Sequence, residues 1–263
     1  MAGRPWTRDE TLIALNLFCQ TPFGRLHARN PEIIAIAGAM DRTPDSLAMK
    51  CCNLAAFDST LAARGIRGLS KGSQLDKAIW DEFQADPEFI GFESEKAIAI
   101  VKATPLGSTD DADNATWEDI RGLDRDAITK VRVNQSFFRS MILAGYDNAC
   151  CVCAMPIRLL LVASHIVPWS VDKHLRMNPR NGLCLCTLHD KAFDCGVLTV
   201  SANYTISIHD EAREFNDSPP VIASLLAFDG QSIKPPDRWL PDPELLVRHQ
   251  SITKEVRLRR NRA

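Results

Sequence analysis

Hydrophobic positions in the first 95 residues recur at helical spacing, and each run follows a residue that can cap a helix. Thr7 and Glu10 have the spacing of a capping box, with an apolar helical stripe behind them. The next two runs each open on a cap residue followed by proline, which is favoured at the first helical position. The four predicted helices begin near Thr7, Asn30, Thr43 and Ser73.

The second and third predicted helices are separated by little more than Asp41 and Arg42, which is the spacing of a helix-turn-helix. In the third helix the apolar residues fall on one face, and we predict that Ser46, Met49, Lys50 and Asn53 face outward. A polar outer face is what major-groove readout requires, so Arg42, Lys50 and Asn53 are candidate DNA-binding residues. An ordinary three-helix domain with a charged surface is the alternative, because this region lacks net positive charge.

The remaining pattern changes character and predicts a second domain. A stretch with Pro105, Gly107 and a run of aspartates indicates a linker. After it we expect a helix, then two short strands, a short helix ended by Gly196, a hairpin and a final helix. The predicted fold class is α+β, with a helical helix-turn-helix or winged-helix-like domain at 1–103, an acidic linker at 104–125 and a second domain at 126–263.

The overall composition restricts the kind of protein but does not indicate a particular activity. A hydrophobic content of 45% and a charged content of 24% are ordinary for a globular protein. No apolar run approaches the roughly 20 residues of a membrane helix, and we see no signal-peptide pattern. Nine cysteines in such a chain favour metal binding over disulfides. We therefore expect a cytoplasmic protein that holds a metal.

Four residues have metal-ligand spacing. Cys150-x2-Cys153 and Cys186-x2-His189 supply two pairs of ligands from two tight turns, as a tetrahedral structural zinc requires. Cys151 is a poorer partner for Cys153 than Cys150, since only one residue separates them. A structural zinc would account for these four residues but not for the polar residues between them, which suggest a catalytic site.

Residues 145–250 resemble the HNH (ββα-metal) endonuclease family, in the subgroup common among prokaryotic restriction enzymes. The resemblance rests on the metal-ligand spacing together with three stretches, Ile166-Val167-Pro168-Trp169-Ser170, Asn178-Pro179-Arg180-Asn181-Gly182 and His189 through Gly196. The segment Pro241-Asp242-Pro243-Glu244 and the predicted helix after it are also similar to that subgroup. It implies a zinc-stabilised ββα nuclease domain that hydrolyses phosphodiester bonds with one catalytic cation, Mg²⁺ or Mn²⁺.

The resemblance also assigns roles. His165 is the candidate general base, which suits an imidazole near neutral pH. The Asn181 amide would tie down the loop that orients it, and Asp190 would offer a hard oxygen to the catalytic cation. A buried histidine, a turn asparagine and a solvated aspartate are the plainer alternatives for the three.

The chain departs from the family pattern at two of its site positions. Asp190 stands where the final histidine is usual, and Ser164 stands where many members have aspartate. The first change keeps a metal ligand and the second removes one. Asp194 or Ser164 is available to help.

Further basic residues follow His165. Lys173, Arg176 and Arg180 are candidate phosphate contacts, and a solvated loop is the alternative. The segment from Trp6 through Leu54 is similar to the amino-terminal domain of some HNH restriction enzymes, several of which act on modified cytosine.

The expected function is that of a prokaryotic restriction-type endonuclease acting on double-stranded DNA, with 5-methylcytosine or 5-hydroxymethylcytosine as the expected modification. One site cuts one strand, so duplex cleavage implies a homodimer or two binding events. Two alternatives stay open: a non-catalytic zinc-containing DNA-binding regulator, and a nicking or mobile-element nuclease that acts on unmodified DNA.

Overall fold

The computed structural model describes residues 4–65, 72–106 and 125–260. The chain divides into two compact units. Unit 1 comprises Met1–Gly145 and Asp237–Trp239, and unit 2 comprises Tyr146–Pro236 and Leu240–Ala263. Most of the predicted acidic linker, residues 107–124, lies outside the described residues. Where the chain is described, no helix is both long and apolar enough to cross a membrane.

All regular elements in the described residues of unit 1 are helices. The predicted caps are present, because Thr7 and Glu10 form a reciprocal capping box and Asn30, Thr43 and Ser73 each accept a backbone N–H in the next turn. The helices are α1 (Arg8–Gln20), α2 (Pro31–Ala39), α3 (Pro44–Ala55), α4 (Ser59–Ala63), α5 (Gln74–Ala85), α6 (Pro87–Lys102) and α7 (Arg125–Gly145).

Helix α1 forms the centre of unit 1. Its residues 10–19 are all buried, and α3, α5, α6 and α7 pack around it. Phe18 lies edge-on to Trp80 at a ring separation of 5.9 Å, and Phe83 lies edge-on to Phe137 at 6.4 Å. The sequence pattern indicated one apolar face on this helix, whereas the structure buries the helix on all sides.

Helices α2 and α3 follow each other closely, as predicted, with Asp41 at a φ of 53° in the connection. The winged-helix prediction is not confirmed, because the described residues of unit 1 contain no strand that could form a wing.

The outward orientation predicted for Lys50 is wrong. Its side chain is 3% exposed and forms an ion pair with the equally buried Asp76 at the start of α5. Arg42 is also engaged, because it bonds Glu10 at 2.8 Å and its guanidinium lies 4.3 Å from the centre of the Trp6 ring. Neither cation is presented to a DNA groove here, whereas Asn53 is half-exposed on α3.

Unit 2 is built on two small antiparallel sheets. Strands β1 (Leu161–His165) and β2 (Gly182–Cys186) pair so that Ser164 faces Leu183 and His165 faces Gly182. Strands β3 (Leu198–Val200) and β4 (Ile206–Ile208) form the predicted hairpin. The helices of this unit are α8 (Thr187–Asp194), α9 (Asp210–Arg213), α10 (Pro219–Ser224) and α11 (Pro243–Arg260).

The β1–β2–α8 order gives unit 2 a mixed α and β character. Strand β2 is buried along its whole length, and Cys186 at its end is also the N-cap of α8. Helix α7 lies in unit 1, whereas the sequence predicted that this helix begins the second domain. The predicted domain ranges 1–103 and 126–263 stay predictions.

Candidate metal centre and active site

The four predicted metal ligands converge in unit 2. The ligand atoms of Cys150, Cys153, Cys186 and His189 all lie within 4.8 Å of one another. The Sγ atoms of Cys153 and Cys186 are 3.9 Å apart, and His189 Nδ1 is 3.1 Å from the Cys186 Sγ. Thiolates about 2.3 Å from a tetrahedral zinc are separated by about 3.8 Å, so the cluster has the dimensions of a zinc site.

Local backbone structure brings the two ligand pairs together. The Ala154 N–H donates to the Cys150 carbonyl at 2.9 Å, and Ala154 takes a φ of 58°, which closes the first turn. The second pair lies at the start of α8, where Cys186 and His189 are three residues apart and therefore on one face.

The orientation of His189 also fits a metal ligand. Its Nε2 lies 2.8 Å from the Ser224 carbonyl, so this nitrogen carries the proton and donates it. Nδ1 is then the unprotonated nitrogen that faces the cysteines, and an outer hydrogen bond of this kind is usual for metal-bound histidine.

Among the described residues, no cationic side chain contributes to the pKa shift of the Cys153 thiol. Burial, followed by the neighbouring thiols, raises the pKa of Cys153 to about 12 when no cation is present. A divalent cation would supply the missing charge, and three sulfurs with one nitrogen favour zinc over magnesium or calcium. Cys150, Cys153, Cys186 and His189 therefore fit a structural zinc.

His165 lies at the end of β1 and is half-buried. Its Nε2 is 2.9 Å from the Arg176 carbonyl oxygen and 2.8 Å from the indole nitrogen of Trp169. The Trp169 ring stands edge-on to the imidazole at 5.5 Å. One ring nitrogen is therefore enclosed by the loop that follows β1.

Asn181 is fully buried and connects both ends of that loop. Its Oδ1 accepts from the Val167 N–H at 2.8 Å, and its Nδ2 donates to the Val167 and Leu175 carbonyls at 3.1 and 3.2 Å. Leu175 directly precedes Arg176, whose carbonyl faces His165. This two-sided contact is the geometry that a loop-tying role requires.

Asp190 and Asp194 lie one turn apart on α8. Burial raises the pKa of Asp190, although the Ser164 hydroxyl donates a hydrogen bond that opposes the shift. Burial, with a smaller effect from Asp190, raises the pKa of Asp194 to about 6, even though Asp194 as a residue is exposed. Two carboxylates whose charged forms are disfavoured in this way would be stabilised by a cation.

The predicted basic residues differ in their surroundings. Lys173 is exposed, whereas the Arg176 guanidinium lies 4.9 Å from the centre of the Trp169 ring. Arg180 is exposed and lies 3.5 Å from the Asp242 carboxylate. Sequence reasoning missed Trp169 and Ser224 as residues that orient site histidines. The first follows His165 by four positions, but no sequence signal pointed to the second.

A family model described as HNH endonuclease matches residues 150–201. The matched segment contains both pairs of predicted zinc ligands, together with His165, Asn181 and Asp190. A search of curated proteins found no match. The match thus identifies an HNH endonuclease domain in this part of unit 2, and such domains are typical of metal-dependent nucleases acting on DNA.

Proposed function

We propose that this protein is a metal-dependent DNA endonuclease whose active site is in unit 2. The observation that carries the proposal is the placement of His165. It ends β1, half-buried, with Nε2 held against a carbonyl by a loop that Asn181 ties, inside a segment that matches an HNH endonuclease model.

His165 and Asn181 have different roles in the proposed reaction. His165 takes a proton from the attacking water, and because Nε2 is enclosed by the loop, the accepting nitrogen would be Nδ1. Asn181 does not exchange protons. It keeps the loop closed, so that the imidazole does not turn away from the scissile phosphate.

Asp190 would hold the catalytic Mg²⁺ or Mn²⁺, with Ser164 and Asp194 as neighbouring oxygen donors. When bound, the cation would stabilise negative charge on the phosphate and on the leaving oxygen. The hydroxyl of Ser164 now donates to Asp190, so it can orient that carboxylate but supplies no charge. A weaker cation site than one with a carboxylate in place of the Ser164 hydroxyl follows from this difference.

The substrate we propose is double-stranded DNA, cut in restriction fashion by two copies of the chain in a prokaryotic cytoplasm. Lys173, Arg176 and Arg180 are the proposed phosphate contacts of unit 2. Recognition of modified cytosine by unit 1 rests on the resemblance of Trp6 through Leu54. Asn53 is the predicted base-reading residue that keeps an outward position.

The first experiment is cleavage of plasmid DNA with Mn²⁺ or Mg²⁺ by the wild type and by His165→Ala. Loss of a general base lowers the rate by about 10²- to 10⁴-fold. His174→Ala is the matched control, because His174 is exposed on the same loop, and this variant should cut like the wild type. A wild type as inert as His165→Ala on every DNA, but still able to bind DNA, would instead identify the non-catalytic regulator.

A second experiment addresses modification. Plain, cytosine-methylated and cytosine-hydroxymethylated versions of one plasmid are compared at equal protein concentration. Cutting of a modified plasmid alone supports the restriction role. Equal cutting of all three would contradict modification dependence and favour a nicking or mobile-element nuclease.

A further inference from the structure

The Nε2 atom of His165 contacts two groups that make opposite demands on it. The Arg176 carbonyl at 2.9 Å can only accept a hydrogen bond, and the Trp169 indole N–H at 2.8 Å can only donate one. A single ring nitrogen either carries a hydrogen or presents a lone pair. The two contacts therefore cannot both be hydrogen bonds at the same time.

Each contact corresponds to one neutral form of the ring. With the hydrogen on Nδ1, Nε2 accepts from Trp169 and faces the Arg176 carbonyl without a proton between them. With the hydrogen on Nε2, the ring donates to Arg176 and the indole N–H points at another N–H. The two tautomers of His165 thus satisfy different neighbours of Nε2.

Both neighbours are held in place. Asn181 bonds the carbonyls of Val167 and Leu175, which fixes the backbone that carries the Arg176 carbonyl. The Arg176 guanidinium lies 4.9 Å from the centre of the Trp169 ring, and its Nε is buried without a hydrogen-bond partner among the described residues. Stacking on the indole is therefore a contact that keeps this cation, and with it Trp169, in position.

We propose that Trp169 is a positioning residue that sets the tautomer of His165. Its indole N–H favours the Nδ1–H form of the ring. The form that can act as a base at Nδ1 carries its hydrogen on Nε2 and is therefore disfavoured. This rests on the proposed function for its catalytic meaning. The reactive form requires the bond to the Arg176 carbonyl, and formation of the imidazolium during proton transfer strengthens that same bond.

The test is nitrogen-15 NMR of histidine-labelled, zinc-loaded protein, comparing the wild type with Trp169→Phe. Phenylalanine keeps an aromatic ring beside His165 but has no N–H. We expect a detectable Nδ1–H population in the wild type, and a shift of the tautomer ratio toward Nε2–H by about threefold to tenfold in the variant, as loss of one hydrogen bond implies. Trp239→Phe is the control, since the Trp239 indole N–H has no acceptor among the described residues of unit 1.

A wild-type His165 entirely in the Nε2–H form would overturn the proposal, and so would a Trp169→Phe ring with the wild-type ratio. If the variant fails to fold, as judged by its zinc content and circular dichroism, the wild type alone decides. A scalar coupling between the indole N–H of Trp169 and His165 Nε2 supports the proposal, and its absence contradicts it.

Cleavage measured on the same samples separates this inference from the proposed function. A larger reactive population should raise the cleavage rate of Trp169→Phe by no more than the change in tautomer ratio. If neither protein cuts any DNA while the tautomer shifts as expected, the nuclease proposal fails and the tautomer assignment stands. A severalfold loss of cleavage with an unchanged ratio would overturn the role of Trp169 alone.

Discussion

Among single residues, the four predicted zinc ligands have the largest expected effect on the stability of unit 2. The two strands beside them are only five residues long, and no α-helix or strand covers 146–160. Residues 156–160 of this segment are all exposed, and Leu159 is 92% exposed, so hydrophobic burial contributes little to the order of this end of the segment. A bound metal would therefore supply organisation that a larger core would otherwise provide.

Cys153→Ala is expected to reduce bound zinc from about one per chain to near zero and to abolish the cooperative melting of unit 2. Metal analysis and calorimetry check this. Cys195→Ala is the control, because Cys195 is half-buried and lies outside the ligand cluster. Equal zinc content and melting for Cys153→Ala and the wild type would show that the assignment of this ligand is wrong.

His249 is a second residue with a measurable effect, and its burial was not expected from the sequence. It is 3% exposed and stacks on Phe193 with ring centres 3.6 Å apart. Burial lowers its pKa to about 4. In the unfolded chain His249 binds a proton near pH 6.5, whereas in the folded chain it does so only near pH 4. The contribution of His249 to the unfolding free energy is therefore complete above pH 6.5, and it falls by about 3 kcal/mol at most as the pH drops toward 4.

His249→Phe should flatten the dependence of unfolding free energy on pH between 6.5 and 4. Denaturant unfolding at several pH values measures it, with His174→Gln as the control because His174 is exposed. An unchanged slope in His249→Phe would mean that other groups cause the acid sensitivity.

Among the elements, local signals were read well and distant partners were not. The caps of α1, α2, α3 and α5 and the two ligand pairs are fixed by residues within four positions of each other, so spacing alone predicts them. Lys50 was misplaced because its partner, Asp76, lies on another helix. Helical periodicity assigns a face, but it does not say which faces a later element covers.

The contact between the end of α8 and α11 gives a prediction with a built-in control. Gly196 has a φ of 70°, and a methyl group there would lie 2.6 Å from Thr253 Cβ on α11. Gly230 has a φ of 76° with open space around it. Gly230→Ala should cost about 1 to 2 kcal/mol for the left-handed backbone alone, and Gly196→Ala about 1 to 3 kcal/mol more because of the clash.

Denaturant unfolding of the two glycine variants measures the difference. Equal losses would indicate that α11 yields without cost at Thr253, and that its packing on this part of unit 2 is loose. A larger loss in Gly230→Ala than in Gly196→Ala would contradict the close approach itself.

At the scale of the whole molecule, the chain returns to unit 1 for three residues. Asp237–Trp239 belong to unit 1, although residues on both sides of them belong to unit 2. Nothing in the local pattern predicts this, because the segment forms no helix or strand and the hydrogen-bond partners of Arg238 lie more than 200 residues earlier. Long-range returns of this kind are what sequence periodicity does not encode.

The chemistry of Arg238 explains why the return matters to unit 1. Pro22 has no N–H, so the Phe18 carbonyl near the end of α1 lacks its usual helical donor. The buried Arg238 guanidinium donates to this carbonyl and to that of Thr21, and lies 4.7 Å from the centre of the Phe18 ring. Burial lowers its pKa to about 10, which leaves it charged at neutral pH.

Arg238→Leu should therefore destabilise unit 1 by about 2 to 5 kcal/mol, because two buried carbonyls at the end of α1 lose their donor. Arg8→Leu is the matched control, since Arg8 pairs with Glu82 at the surface of the same unit and an exposed pair contributes at most about 1 kcal/mol. Fluorescence of the buried Trp80 follows unfolding of unit 1 in both variants. If Arg238→Leu is no less stable than Arg8→Leu, the hydrogen bonds from Arg238 do not stabilise the end of α1, and the segment contributes only packing to unit 1.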